Sequence, residues 1–151
     1  MKSGISHILC GVDGSAPACI AATRAAELAV ALGADLTFVA VAREASPNVE
    51  IDAYRKTEGI EGERVPLLTK DAEVCLVVAL GKAAERGHKS AKRIVRTGKV
   101  SSTLISVAAD IGADATAIGR RRHSGIRRAV LGSVSQEIAD QTSLTIISVC
   151  C

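Results

Sequence analysis

The sequence predicts an α/β fold, a doubly wound five-stranded parallel sheet with helices on both faces. Two observations support this. Short runs of consecutive apolar residues, typical of strands buried on both faces, recur along the 151 residues. Segments of helical length separate most of these runs, and such alternation is typical of a parallel sheet. The length suits one domain with its own core, so residues 1–151 are interpreted as a single domain.

The first β-α-β unit lies between residues 8 and 42. Ile8–Val12 is an apolar run and predicts the first strand. Ser15 is a suitable N-cap for the helix that follows, and Gly33 is placed to end it in a left-handed conformation. The second strand is predicted at Leu36–Ala42. Helical spacing puts these residues on one face of the helix, which we expect to be its buried face: Ala21, Ala25, Leu28 and Leu32.

The middle of the chain is less regular. Residues 43–70 are polar, with two prolines and two glycines, and predict an excursion with little regular structure beyond a turn of helix near 52–56. Residues 74–80 have the β-branched content of a buried strand. The segment from 71 to 86, however, is long enough to favour a helix.

The second half continues the alternation. A third strand is predicted at residues 91–97, a fourth at 114–118 and a fifth at 144–149. The helix between the third and fourth strands is predicted to be capped by Ser101 or Ser102 and to end at Gly112. Ser133 and Gln136 have the spacing of a capping box and predict the start of the last helix. The expected strand order is 3-2-1-4-5.

Composition argues against several classes of function. Phe38 and Tyr54 are the only aromatic residues, so base stacking on single-stranded nucleic acid is nearly unavailable. The net charge of +3 is too small to indicate nucleic acid by itself. Five cysteines without a C-x-x-C pair favour a reducing cytoplasm, without a disulfide framework or a metal site. No apolar run has the length of a signal peptide or a membrane span, so we expect a cytoplasmic protein.

A ligand site is predicted where two loops meet. In doubly wound sheets, ligands bind beyond the carboxyl ends of the strands, where the strand order reverses. For the order 3-2-1-4-5 this point lies between the first strand, which ends at Asp13, and the fourth, which leads into Gly119. The helix that begins near Ser133 would add the unpaired N–H groups of its first turn, which suit phosphate.

These residues carry a resemblance to a known family. Ile8–Ser15 resembles the opening strand of the universal stress protein family, with its Asp, and the glycine at 98 matches another recurring position. The family's nucleotide loop, G-x2-G-x9-G-[S/T], is matched by Gly119, Gly132 and Ser133. Arg122 stands where the second glycine is expected. An arginine there either obstructs the phosphates or, as a good phosphate partner, clamps them.

The resemblance implies a stress-response protein that binds ATP or a related adenine nucleotide, which Mg²⁺ could accompany. The sequence offers no general base and no cluster of metal-binding acids near the loop, so we expect no catalytic residues. Asp13 would accept from the adenine or ribose end, while Val41 and Ile118 would line the base pocket. Gly119 would pass close to the ribose and phosphates. The phosphates would be held by Gly132, Ser133, Val134 and Ser135, and Arg122 joins them if it clamps phosphate. The resemblance also implies a homodimer, formed through the apolar last strand, Leu144–Cys150.

Alternatives remain at each of these positions. The Asp13–Ser15 segment also has the composition of an ordinary turn and helix cap. The basic residues between 120 and 128 are also typical of a solvated loop, or of an adaptor that binds nucleic acid or an acidic partner. The third alternative is a dimeric stress protein that binds no nucleotide.

Overall fold

A computed structural model describes residues 4–43, 67–120 and 133–150. Most of the predicted excursion over 43–70, namely 44–66 with the turn of helix at 52–56, lies outside these residues, as does the loop at 121–132. The end of the excursion, 67–70, forms a short strand and the start of a helix, so the expectation of little regular structure was wrong there. The elements, in chain order, are β1 His7–Gly11, α1 Ala16–Leu32, β2 Asp35–Arg43, β3 Leu67–Leu68, α2 Thr69–Glu85, β4 Lys92–Thr97, α3 Val100–Ile111, β5 Ala115–Arg120, α4 Ser133–Gln141 and β6 Thr145–Cys150.

The strands form one parallel sheet. Its main path is β4-β2-β1-β5-β6, which is the predicted order 3-2-1-4-5. The two-residue strand β3 pairs with the end of β2 through Ala42 and Leu67, and the sequence analysis did not predict it. The segment from 71 to 86 is helical, as its length indicated, and forms most of α2.

The two faces of the sheet carry separate apolar clusters, which places helices on both faces as predicted. The first cluster joins β1, β2 and β5 to α1 and α2, and its largest buried side chains include Phe38, Ile8, Leu36 and Leu76. The second cluster lies on the opposite face and joins the sheet to α3 and α4. Its buried members are Leu9, Val39, Leu104, Val107, Ala108, Ile118 and Ile138.

The ends of α1 follow the prediction, but its buried face does not. The Ser15 hydroxyl accepts from the N–H of Ala18 at 3.3 Å, and Gly33 ends the helix at φ 64°. The buried face consists mostly of alanines at positions 18, 21, 22, 25, 26 and 29. Leu28 and Leu32, which were expected in the core, are 37% and 51% exposed. The prediction was wrong for these two leucines because small side chains, rather than the largest apolar ones, face the sheet.

The predicted cap of α3 is also wrong, although its end is confirmed. The N-cap residue is Lys99, which makes no side-chain capping bond. The Ser102 hydroxyl instead donates to the Lys99 carbonyl at 3.3 Å, and the Ser101 hydroxyl donates to Glu137 in α4. Gly112 ends the helix at φ 68°. Ser101 is buried between α3 and α4 and therefore serves the packing of two helices.

The two edges of the sheet differ in character. β4 carries exposed Lys92, Arg93 and Arg96, and the guanidinium of Arg93 lies 3.6 Å from the carboxylate of Glu73 in α2. The sequence of β6, Thr-Ile-Ile-Ser-Val-Cys, has no charged residue, and its four central side chains are half-buried. One edge is therefore basic and the other is uncharged and apolar.

Gly119 in β5 lies directly against the first turn of α1. A Cβ built at this position would stand 2.2 Å from the carbonyl oxygen of Pro17 and 2.8 Å from the nitrogen of Ala18. Both atoms belong to backbone and cannot rotate away. The close packing of α1 on β5 therefore requires glycine at position 119.

We expect Gly119→Ala to lower the free energy of unfolding by about 2 kcal/mol or more, because the added methyl group forces α1 away from β5. Gly81→Ala is the matched control, since a Cβ there meets open space in the middle of α2. It should raise stability by about 0.5–1 kcal/mol. Urea unfolding followed by far-UV circular dichroism measures both, and equal effects would contradict the packing argument.

Candidate functional site

The carboxyl ends of β1, β2 and β5 lie side by side. The last paired residues of β1 and β5 are Cys10 and Ala117, and the same register, carried two positions further, sets Val12 level with Gly119. On the other side, the Val12 N–H donates to the Val39 carbonyl at 2.9 Å. Adjacent strands are about 4.8 Å apart, so the Asp13 turn and the end of β5 are neighbours. The adjacency of these two strands, on which the predicted site depends, is thus present.

The Asp13–Ser15 segment forms a tight turn between β1 and α1. Oδ1 of Asp13 accepts from the Ser15 N–H at 2.9 Å, which is the bond of an Asx turn. Gly14 has φ +81°, a conformation that side chains rarely adopt. The turn-and-cap interpretation of these residues is therefore correct as a description of their folding role. The half-buried Asp13 carboxylate lies at the same strand ends as Gly119.

Val41 and Ile118 form part of an apolar wall on the face of the sheet that carries α3 and α4. Their exposed fractions are 7% and 3%. Gly11 of β1 lies between the two strands that carry them, and a Cβ there would stand 3.3 Å from Cδ2 of Leu104. Leu104 from α3 therefore covers the sheet at Gly11.

The phosphate side of the predicted site is described in part. α4 begins at Ser133, as the sequence predicted, and Val134 and Ser135 follow in its first turn. Val134 is half-buried and Ser135 is 2% exposed. Arg122, Gly132 and the side chain of Ser133 lie outside the described residues. The first-turn N–H groups of this nine-residue helix are the donors that a phosphate would use.

Glu137, in the second turn of α4, joins that helix to the start of α3. Its carboxylate accepts from the Ser101 hydroxyl, and the Lys99 ammonium lies 3.2 Å away. The hydrogen bond from Ser101 and the interaction with Lys99 lower the pKa of Glu137 below its ordinary value. Sequence analysis missed this contact because its partners lie 36 and 38 residues earlier, with no local pattern to connect them.

The described residues contain no group of three or more histidine, cysteine, aspartate or glutamate side chains that could hold a metal ion. No helix within 4–43, 67–120 and 133–150 is long and apolar enough to cross a membrane.

The sequence as a whole matches one family. The model of the universal stress protein family aligns with residues 4–149, nearly the full length of the chain. The chain belongs to the universal stress protein family. Comparison with curated protein sequences gives no significant match. The family membership confirms the resemblance noted in the sequence.

Several solved universal stress proteins share the fold. One, in complex with cAMP, is 22% identical with a TM-score of 0.70, covering 97% of this chain and 98% of its own. UspA from Lactobacillus plantarum is 18% identical with a TM-score of 0.70, covering 98% and 99%. The protein from Archaeoglobus fulgidus in complex with dAMP is 18% identical with a TM-score of 0.66, covering 95% and 97%. At these identities the likeness establishes the fold.

We expect Glu137→Gln to remove part of the acid sensitivity of the protein. A carboxyl group whose pKa is lowered on folding stabilises the protein above its unfolded pKa of about 4.3, and this contribution is lost as the pH falls through the folded value. The wild type should therefore lose stability relative to the variant as the pH is lowered from about 5 to 3.

Thermal unfolding at intervals across this range measures the difference. Asp140→Asn is the control, since Asp140 also lies in α4 and is exposed, and its carboxylate accepts from the Gln136 amide, not from a cation. A constant difference between wild type and Glu137→Gln from pH 3 to 7 would contradict the assignment.

Proposed function

We propose that this universal stress protein binds an adenine nucleotide in the crevice between the carboxyl ends of β1 and β5, and that it acts in stress signalling by binding. The observation that carries the proposal is that proteins of this fold are found in complex with cAMP and with dAMP. In this chain the end of β1 carries the Asp13 carboxylate, and the neighbouring end of β5 carries Gly119.

The described side chains suit the base and ribose. Val41 and Ile118 offer apolar surface for an adenine ring, and the Asp13 carboxylate is an acceptor for ribose hydroxyls. Because one oxygen of Asp13 accepts from Ser15, the orientation of the carboxylate is fixed before a ligand arrives. Such preorganisation reduces the entropy lost on binding.

The phosphates would meet the start of α4. Gly119, Gly132 and Ser133 occupy the glycine and hydroxyl positions of the family's loop, with Val134 and Ser135 in the first turn behind them. Arg122 would add a guanidinium, which pairs well with phosphate oxygens. The Glu137 contact with Ser101 and Lys99 supports the proposal because it ties α4, one turn after its first residue, to α3.

The proposed role is binding without turnover. Phosphoryl transfer depends on metal ions held by side chains and on a group that orients the nucleophile. In the described part of the crevice, one oxygen of the Asp13 carboxylate accepts from the Ser15 N–H. The other oxygen is assigned to the ribose, so the proposal leaves Asp13 no role in holding a metal ion. A nucleotide bound here would act as a signal, and any Mg²⁺ would arrive with its phosphates.

We expect calorimetry to detect binding of at least one of ATP, AMP and cyclic AMP, and Asp13→Asn to weaken that binding about tenfold or more, because a hydrogen bond to a charged group is lost. Asparagine retains the oxygen that accepts from Ser15, so the turn should survive. Asp13→Ala removes both the charged acceptor for the ligand and the oxygen that accepts from the Ser15 N–H, so it should also lower thermal stability.

Asp110→Asn is the control, since Asp110 is exposed near the end of α3, where the chain leads into the amino end of β5, away from the carboxyl ends of the strands. Absence of binding at millimolar nucleotide would overturn the proposal. Binding that is unchanged in Asp13→Asn would remove Asp13 from the site.

We also propose a homodimer formed through β6. This strand lies at an edge of the sheet, has no charged residue and exposes part of its apolar surface. An edge of this kind offers unpaired backbone groups to another strand. A two-fold axis beside β6 would pair it with its own copy and cover both edges at once.

We expect Ile147→Lys to convert a dimer to a monomer, as measured by light scattering over a range of concentrations. Val95→Lys is the matched control, because Val95 is also a half-buried β-branched residue on an edge strand, packed against the same apolar cluster. The two substitutions should lower the free energy of unfolding by similar amounts, and only Ile147→Lys should lower the molar mass measured by light scattering. A monomeric wild type, or dissociation by both variants, would contradict the assignment.

A further inference from the structure

A cavity of about 160 Å³ lies between α1 and α2, apart from the crevice described above. The residues at its base, Ala18, Ala22 and Ala79, belong to the first apolar cluster, whereas Ile118 belongs to the second cluster on the other face of the sheet. Val12 and Gly14 also line the cavity, so it reaches the underside of the Asp13–Ser15 turn.

The walls of the cavity are apolar. Alanines on both helices leave the space open, and Val74 and Val78 form its rim at 64% and 45% exposure. Cys19 and Cys75 contribute thiols. Burial raises the pKa of Cys75, and the nearby charges of Asp13 and Asp71 raise it further, so this thiol stays protonated and packs as an apolar group. A cavity of about this size, lined by apolar groups, is large enough for benzene.

The charges around the cavity are separated. Lys82 lines one end, two helical turns and about 10 Å along α2 from Cys75. Asp13 and Asp71 act on the Cys75 end. Lys82 is half-buried, and within the part of the chain that the structure describes no carboxylate lies within ion-pair distance of it. Among the residues that line the cavity Lys82 carries the charge, so a ligand that lies along the cavity would meet an ammonium at one end.

We propose that this cavity binds a small apolar molecule that carries one carboxylate, with its tail against Cys19, Cys75 and the alanines and its carboxylate on the Lys82 ammonium. A six-carbon chain is of a size that a cavity of about 160 Å³ can hold. Its apolar part would cover Val74 and Val78, which otherwise stand in water. The site does not depend on nucleotide binding, and it would exist equally in a protein that binds none.

The test is a titration with three probes of equal chain length, hexanoate, hexanol and hexylammonium, followed by the amide NMR signals of residues 19, 22 and 78. We expect hexanoate to bind with a Kd on the order of 1 mM, as suits a ligand of eight non-hydrogen atoms. Hexanol should bind several-fold more weakly and hexylammonium more weakly still. Hexylammonium binding as tightly as hexanoate would overturn the proposal, as would no shift with any probe.

Two substitutions test the parts of the site. Lys82→Met keeps an apolar side chain and removes the charge, so it should reduce the affinity for hexanoate to that for hexanol. Lys89→Met, at an exposed lysine beyond α2, is the control and should leave the affinity for hexanoate unchanged. Ala22→Leu fills the cavity and should abolish binding, whereas Ala84→Leu adds the same volume at an exposed position of α2. Unchanged affinity in Lys82→Met would overturn the assigned carboxylate contact.

A measurement on the wild type keeps the test valid if Ala22→Leu fails to fold. Hexanoate should slow the alkylation of the half-buried Cys19 by N-ethylmaleimide, whereas hexylammonium at the same concentration should slow it much less. Equal rates with and without hexanoate would contradict occupation of the cavity. Nucleotide titration of the same sample reports on the other crevice separately, so a failure of either proposal is recognised by itself.

Discussion

The close packing of the first turn of α1 on β5 is the constraint on which the rest of the structure depends. Gly119 leaves no room for a Cβ against the Pro17 carbonyl, and the alanines of α1 leave little space between that helix and the sheet. This contact holds the Asp13–Ser15 turn against the end of β5. The position of the candidate crevice, and of the cavity behind the turn, both follow from it.

The order and type of the elements could be predicted because they depend on local signals. Consecutive apolar residues identified the strands, and Ser15, Gly33 and Gly112 marked helix ends through their own backbone preferences. The buried face of α1 could not be predicted in the same way. Leu28 and Leu32 are the larger apolar residues, but how closely a helix approaches its sheet depends on the opposite surface, which no local pattern reveals.

The candidate site was predictable to a similar extent. Asp13 and Gly119 were identified because the strand order brings their loops together, and the structure gives each of them a folding role as well. The same residue type can serve folding and ligand binding, so the sequence pattern alone does not show which of the two roles a residue has. Glu137 was missed because its contact with Ser101 joins two helices that are remote in sequence. The cap predicted at Ser101 failed for the same reason.

The unlike edges of the sheet have a consequence for growth by strand addition. Lys92, Arg93 and Arg96 place like charges along β4, so two such edges repel one another. The uncharged edge at β6 is thus the one open to pairing between copies. In the proposed homodimer, pairing of the β6 edge with its own copy would occupy the uncharged edge of both chains and leave the charged β4 edges facing outward. Such an arrangement would protect the protein against the open-ended fibres that form when both edges of a sheet accept strands.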